Sequence, residues 1–334
     1  MSLWCDLQGR GTQPYVIVAR RSDAVVGIAP LVRVAGRLGP IAVRTVRFMG
    51  GGVGADHLDF VVEAAGADET RALLVTRLLD DAGGWDVAEL LRASDRLAAS
   101  VARVVGARPE FHCAITEADA SPVLSLPSSW DELARRLPSG LASRVAYYDR
   151  RLRKDHRGAA FEQVDDPTVL PDAWEDLVRL HGSRWGARGR PGAFAEPLFA
   201  TFHRRFAERA LSRGWLRFYR LRVAGQCVAA LYCLSMAGRV SFIQGGFDPA
   251  WQRYSVGTMV VAYAIKQAIA EGAREFDFLR GVESYKMRWT THLRKDMNVV
   301  LVPRRLRSAA AVAWQRSRSR IGTGIRRVRR LVGR

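Results

Sequence analysis

The chain has 334 residues, 48% of them hydrophobic and 25% charged, which is the composition of folded globular domains and excludes a fibrous or largely disordered protein. No apolar run approaches the ~18 residues that cross a bilayer, and Met1 to Gly11 lacks the apolar segment of a secretory signal, so the expected location is cytoplasmic. The net charge of +19 is unevenly spread: eleven arginines and no acidic residue lie between Arg304 and Arg334, leaving +8 elsewhere, so basicity is mostly a property of the tail.

In chain order, Tyr15–Arg20 and Val25–Val34 read as strands around a Ser22–Asp23 turn, and Ile41–Met49 as a strand ended by Gly50–Gly52. His57–Val62 follows, then a helix over Asp68–Asp81 and a buried strand over Trp85–Leu91. Ser94 caps a helix to Val105, and Phe111–Glu117 closes the first half. Ala118–Pro127, with Pro122 and Pro127, is the expected domain boundary. Beyond it, Ser128–Glu132 begins a capped helix and Ser139–Asp155 forms a basic one. A strand over Ala159–Val164, helices over Pro171–Trp185 and Glu196–Arg213, and strands over Trp215–Val223, Gln226–Leu234 and Arg239–Gly245 come next. A helix over Ser255–Gly272, a strand over Glu275–Leu279 and a last strand near Asn298–Val302 complete the pattern. Alternating helices and strands make the class α/β (α+β). The expected domains are residues 1–120, 121–303 and a basic tail, 304–334.

Cys5, Cys113, Cys227 and Cys233 show neither CxxC spacing nor a neighbouring histidine pattern. Cys227 and Cys233, six apart in an apolar run, are expected on one strand face as small buried residues. His57, His112, His156 and His203 share no spacing, and neither HExxH nor GxSxG occurs, so no metal is expected.

The chemistry concentrates in two stretches. In Ser241–Lys266 a strand runs into Gly245–Gly246, a turn follows at Asp248–Pro249, and a helix starts near Ser255 with Val256, Met259, Val260 and Tyr263 at helical spacing. A helix N-terminus offers backbone N–H groups and the positive dipole end to a pyrophosphate. Gln252, Ser255 and Gly257 form Q-x-x-S-x-G, in which small residues let amides close on phosphate oxygens; an ordinary strand–turn–helix is the plain alternative. The second stretch, Glu271–Trp289, ends a strand at Asp277–Gly281 and continues through Tyr285, Lys286 and Trp289. On one helix face, His181, Arg184 and Trp185 stand at i, i+3 and i+4. His181 is either a base or a buried histidine orienting Trp185. Arg280 leads out of a strand end, where ligands collect, or pairs with Glu283 or Asp277.

These residues carry a resemblance. Q-x-x-S-x-G is similar to the pyrophosphate loop of GNAT acyltransferases, with serine in place of the first glycine. Asp277–Gly281 with Tyr285, Lys286 and Trp289 resembles the "DFLRG…YK..W" signature of the CelD/BcsL-like branch of that superfamily, which is associated with cellulose and exopolysaccharide gene clusters. Val26–Leu31, Leu180–His181 with Arg184–Trp185, and Gly246–Pro249 look like that branch's further motifs in the same order. The leading helix usual there is mostly absent before Tyr15. The resemblance implies two tandem GNAT-like domains, each a mixed, mostly antiparallel sheet flanked by helices. It also implies transfer of an acyl group from acetyl-CoA or another acyl-CoA to an amine of a sugar, glycan or cell-envelope intermediate. The donor would contact Gln244, Gly245, Gly246, Gln252, Arg253, Ser255, Val256, Gly257 and Thr258. Arg184, Trp185, Asp277, Arg280, Tyr285 and Trp289 would line the acceptor side. A comparable lysine sits at the substrate site of FemAB-like aminoacyltransferases, so Lys286 would help neutralise charge on the thioester oxygen or on a phosphorylated acceptor, or be a solvated strand lysine; Glu283 and His181 are the alternative bases.

Two other functions stay open: FemAB-like transfer from aminoacyl-tRNA, and a non-catalytic GNAT-like assembly module. In the tail, Ile321, Ile325, Val328 and Val332 fall on one helix face opposite Arg326, Arg327, Arg329 and Arg330. That pattern suits contact with an anionic membrane surface, a solvated tail or non-specific nucleic-acid binding, the last without any supporting motif.

Overall fold

The computed structural model describes residues 2–7, 11–38, 41–138, 140–187 and 189–305. The expected tail helix over Ile321–Val332 lies outside them. Contacts divide the chain into two compact units, residues 1–118 with 295–334, and residues 119–294.

In the first unit a short helix, α1 (Ser2–Asp6), precedes three antiparallel strands, β1 (Thr12–Arg21), β2 (Ala24–Leu38) and β3 (Ile41–Phe48). In the His57–Val62 segment, β4 (Val61–Val62) pairs against β2 and Leu58 makes a single parallel bridge to Ala93. Helix α2 (Ala67–Asp80) leads to β5 (Val87–Ala93), which runs parallel to β3, and α3 (Asp95–Gly106) follows. Ser94 caps α3 as expected, its Oγ accepting from Leu97 N at 3.1 Å. The inward faces of β1, β2, β3 and β5 and the apolar faces of α2 and α3 share one core around Leu31, Val46, Leu78 and Trp85.

The expected boundary at Ala118–Pro127 contains the division between the units, at residues 118 and 119, but most of that segment is the second part of one long strand, β6 (Phe111–Ser125); beyond Pro122, which has no N–H to donate, Val123, Leu124 and Ser125 pair with a neighbouring strand. The chain's last strand, Leu293–Pro303, pairs from Met297 onward with β5, so residues 295–303 belong to the first unit, whereas the expected second domain ran over 121–303.

The second unit opens with α4 (Trp130–Arg136), capped by Ser129, and α5 (Leu141–Asp155), then β7 (Ala160–Gln163), α6 (Leu170–Gly186) and α7 (Pro197–Ser212). Strands β8 (Leu216–Val223), β9 (Gln226–Met236) and β10 (Arg239–Phe247) form an antiparallel meander, with β7 on its far edge. Helix α8 (Val256–Ala270) crosses over to β11 (Glu275–Asp277), which lies parallel to β10 and antiparallel to the end of β6. A one-turn helix, α9 (Ser284–Met287), precedes β12, the Leu293–Pro303 strand. Each unit is thus a mixed, mostly antiparallel sheet flanked by helices.

Both faces of the β8–β10 meander are buried, which is why β9 is almost continuously apolar. One face packs with α8 around Val240, Val256 and Ile265, and the other with α6 and α7 around Trp174, Leu177 and Tyr232. A bulge in β9 between Cys227 and Ala229 inverts the alternation. Cys227 therefore faces the α6 side and Cys233 the α8 side, on opposite faces and not on one. Burial pushes both thiols up, Cys227 to about 12, so they stay protonated packing groups. Among the described residues no helix is long and apolar enough to cross a membrane.

Candidate functional site

Strand β10 pairs with β11 only over Arg239–Ser241 against Glu275–Asp277, then continues to Phe247 with its partner β9 on one side. The strands part there, and a cleft of about 320 Å³ opens between β10, the start of α8 and α9. The glycines on β10 are required by contact. A Cβ on Gly245 would lie 2.9 Å from Leu231 Cδ1, and one on Gly246 would lie 2.3 Å from His181 N, so the backbone of α6 rests directly on β10.

The chain leaves β10 through a 3-10 turn at Pro249–Tyr254, started by Asp248, whose Oδ1 accepts from Ala250 N at 2.9 Å. The buried Tyr254 fastens this turn to the end of α5: its hydroxyl donates to Asp155 Oδ2 at 3.0 Å and lies 3.2 Å from His156 Nε2. Ser255 then adopts the left-handed conformation, φ 51° and ψ 38°, and α8 begins. This accounts for glycine in the resembling motif: the position needs positive φ, which serine meets only at a cost of about 1–2 kcal/mol. The first turn of α8 carries no acidic residue. Gly257 faces the Phe247 ring, 2.8 Å from where its Cβ would stand.

Of the residues expected at the donor side, Gly245, Gly246, Gln252, Ser255, Val256, Gly257 and Thr258 line the cleft. Gln244 and Arg253 are not among the lining residues; Arg253 is exposed and lies over the Tyr254 ring at 4.7 Å. On the other side Arg184, Glu283, Tyr285 and Trp289 line it. Trp289 is 3% exposed and serves mainly as core.

Several assigned roles do not survive the geometry. His181 is buried, with Ala193 N–H donating to Nε2 at 3.0 Å and Nδ1 facing Gly245 O at 3.1 Å. The amide fixes Nε2 as acceptor, so Nδ1 carries the proton. Burial, aided by the charge of Arg184 and opposed by the Gly245 bond, lowers its pKa. The ring is neutral with both nitrogens engaged, and has no lone pair to offer as a base. Lys286 belongs to a helical turn, not a strand, and is 5% exposed. Its ammonium donates to the carbonyls of Arg280 at 2.6 Å and Leu279 at 3.3 Å and meets Glu283 at 3.0 Å. It holds the turn behind the cleft instead of lining it.

Asp277 is fully buried, accepting from Leu279 N at 2.8 Å and pairing with Arg294 at 3.1 Å; it shapes the turn and is not among the residues that line the cleft. The Arg280 carbonyl is the Lys286 acceptor, and neither Arg280 nor Trp185 lines the cleft. Phe247, Ser284 and Arg288 do line it. Arg288 was legible as i+3 from Tyr285, but only if Ser284–Met287 is read as helix and not as an extended segment. Among the described residues no set of three or more His, Cys, Asp or Glu side chains is arranged to hold a metal.

The site is thus a mixed sheet that opens beyond one parallel pair, with glycines on the freed strand and a helix N-terminus without acidic residues beside it. Residues 140–287 match the family profile of the acetyltransferase (GNAT) domain. The structure is similar to FemX, at 12% identity over 86% of this chain and 88% of that one, with a TM-score of 0.62. It is also similar to a conserved protein of unknown function from Bacteroides thetaiotaomicron (13% identity, 90% and 88% covered, TM-score 0.57) and to L-PGS from Bacillus licheniformis (13%, 93% and 89%, TM-score 0.54). At these identities the likeness is one of fold. No curated protein matches the sequence.

Proposed function

We propose that the second unit is a CoA-dependent N-acyltransferase that moves an acyl group, acetyl in the simplest case, from acyl-CoA to an amine. The observation that carries this reading is the parting of β10 from β11 beyond Ser241 and Asp277, next to an α8 N-terminus free of acidic residues. In it the first amides of α8, with Gln252, Ser255 and Thr258, hold the pyrophosphate. The thioester lies along Gly245–Gly246, where backbone N–H groups on the freed edge of β10 polarise its carbonyl. A neutral amine enters past Tyr285 and Arg288, attacks the carbonyl carbon and expels the CoA thiolate. Glu283, which lines the cleft and is half exposed, takes the amine proton directly or through water. No acyl-enzyme is needed; holding the two reactants in line supplies several of the roughly 8 kcal/mol or more that an enzyme removes from a barrier.

The similarity to the CelD/BcsL-like branch supports an acceptor amine on a sugar or cell-envelope intermediate such as an exopolysaccharide precursor. It fits a cytoplasmic enzyme drawn to the inner membrane face by its basic tail. The test is donor binding: acetyl-CoA or a longer acyl-CoA should raise the melting temperature and bind by calorimetry, and the reading fails if none does either.

A second reading, aminoacyl transfer from aminoacyl-tRNA, is favoured by α5, which exposes Arg144, Arg150 and Lys154 with Tyr147 between them. Retention of aminoacyl-tRNA at physiological salt, with no acyl-CoA bound, would select it. Donor binding without turnover of any amine would instead indicate an assembly module.

A further inference from the structure

The acceptor side of the cleft carries two arginines and one carboxylate, Glu283, which Lys286 meets at 3.0 Å. Arg184 reaches the cleft from α6, and Arg288 lines the same wall. The Arg184 guanidinium is bracketed by rings, 4.9 Å from the Tyr285 centroid and 5.5 Å from that of Phe247. Such faces fix its plane and favour its charge. Its hydrogen bonding is unfinished: Nη1 reaches Gly245 O only at 3.5 Å, and Nε is buried with no hydrogen-bond partner.

Two other arginines of this unit are paired with carboxylates, Arg294 with Glu275 and Asp277 at 3.0–3.1 Å and Arg217 with Glu271 at 2.7 Å. Among the described residues no carboxylate pairs with Arg184. A buried N–H left unpaired keeps its desolvation cost, which an arriving acceptor atom recovers. A guanidinium also disfavours a bare ammonium beside it and attracts an oxyanion, for which the Nε–Nη edge is a ready two-pronged donor.

We propose that the acceptor amine carries an oxyanion, a phosphate or a carboxylate, and that Arg184 is the residue that recognises it. The proposal rests on the acyl-transfer reading for the word acceptor, but the oxyanion site itself does not depend on it. The same chemistry could come from the phosphates of the donor, so the experiment separates the two sources. The full-length protein is titrated with methyl phosphate and with acetate, at constant ionic strength, with and without saturating coenzyme A. Binding is followed at the Arg184 Nε–H resonance, assigned by its loss in Arg184→Lys.

At least one probe should shift that resonance saturably, and the shift should persist when coenzyme A is bound. Arg184→Met should weaken the probe at least about tenfold, and Arg184→Lys, which keeps charge but loses the fork, should weaken it as well. Coenzyme A affinity, measured by calorimetry on the same samples, should be unchanged in both variants, which also shows that they are folded. Absence of a saturable shift with both probes overturns the proposal. So does displacement of the probe by coenzyme A, which assigns the anion to the donor. Persistence of the probe site in a protein that binds no coenzyme A removes the acyl-CoA reading and leaves the oxyanion site standing.

Discussion

The two units use one plan with opposite electrostatics. In each, three antiparallel strands lead through a helix to a strand parallel to the third: β3 with β5 in the first unit, β10 with β11 in the second. In each, that helix begins after a left-handed residue, Gly66 before α2 and Ser255 before α8. The first turn of α2 then carries Asp68 and Glu69, with Arg71 bonded to Asp68 and Asp59 at 3.0 Å. The first turn of α8 carries Gly257 and Thr258. A carboxylate at a helix N-terminus satisfies the dipole and repels an anionic ligand. The strand ends differ as well. Beyond β3, Gly51 accepts from the Trp4 indole at 3.1 Å and the Trp4 side chain is buried, whereas beyond β10 the glycines border an open cleft. The same topology therefore ends in two comparable helix N-termini, of which that of α2 carries carboxylates and that of α8 carries none.

The ends of the parallel strands differ in how they are held, and this yields the largest expected effect. Each carries a positive-φ residue, Arg92 near the end of β5 at 55° and Leu279 just past β11 at 54°. The first is tied by Asn298, which accepts from Arg92 N at 3.1 Å, and the second by the Lys286 ammonium on two carbonyls. Lys286→Met should lower unfolding stability in urea by about 3 kcal/mol or more, because it orphans both carbonyls and the Glu283 partner. A variant with normal stability but no turnover would return Lys286 to the chemistry.

Next in size is the glycine contrast. Gly246→Ala should cost about 2–3 kcal/mol, since its Cβ would meet the backbone of α6. The corresponding Gly51→Ala, whose Cβ would find nothing nearer than Phe48 O at 3.6 Å, should change stability by less than about 0.5 kcal/mol. Equal losses would mean that α6 does not rest on β10 as described.

Giving α8 the acidic first turn of α2 tests the electrostatic difference itself. Thr258→Asp should weaken acyl-CoA binding by calorimetry about tenfold, close to 1–2 kcal/mol, with the fold intact. An unchanged affinity would detach the donor from the α8 N-terminus.

The smallest effect is a pH slope. Burial holds the His181 imidazole below its ordinary 6.5, so as pH falls the unfolded chain takes up a proton first. Its contribution to stability is complete above that value and is lost as pH drops below it, by at most about 1.4 kcal/mol per pH unit. Urea midpoints between pH 5 and 8 should show a shallower slope in His181→Gln than in the parent; parallel curves would mean that His181 titrates alike in both states.

Local chemistry was enough to place most elements. Ser94 and Ser129 mark helix starts because a hydroxyl beside its own N3 amide needs no distant partner, and the apolar spacing of α8 reports the sheet it covers. The glycine pair and Q-x-x-S-x-G were legible because small residues and positive φ are backbone demands that show directly in residue type. Which charged and titratable groups face the cleft was decided only by tertiary structure. His181 lost its role to the carbonyl of Gly245, 64 positions away, and to an amide 12 positions on. Asp277 is paired with Arg294, and the last strand joins β5 through pairs such as Leu301 with Ala88, distant in sequence but within the first unit. A side chain's residue type states what it can do, but the partners that consume that capacity arrive from distant segments, and only packing determines which groups are left over for a ligand.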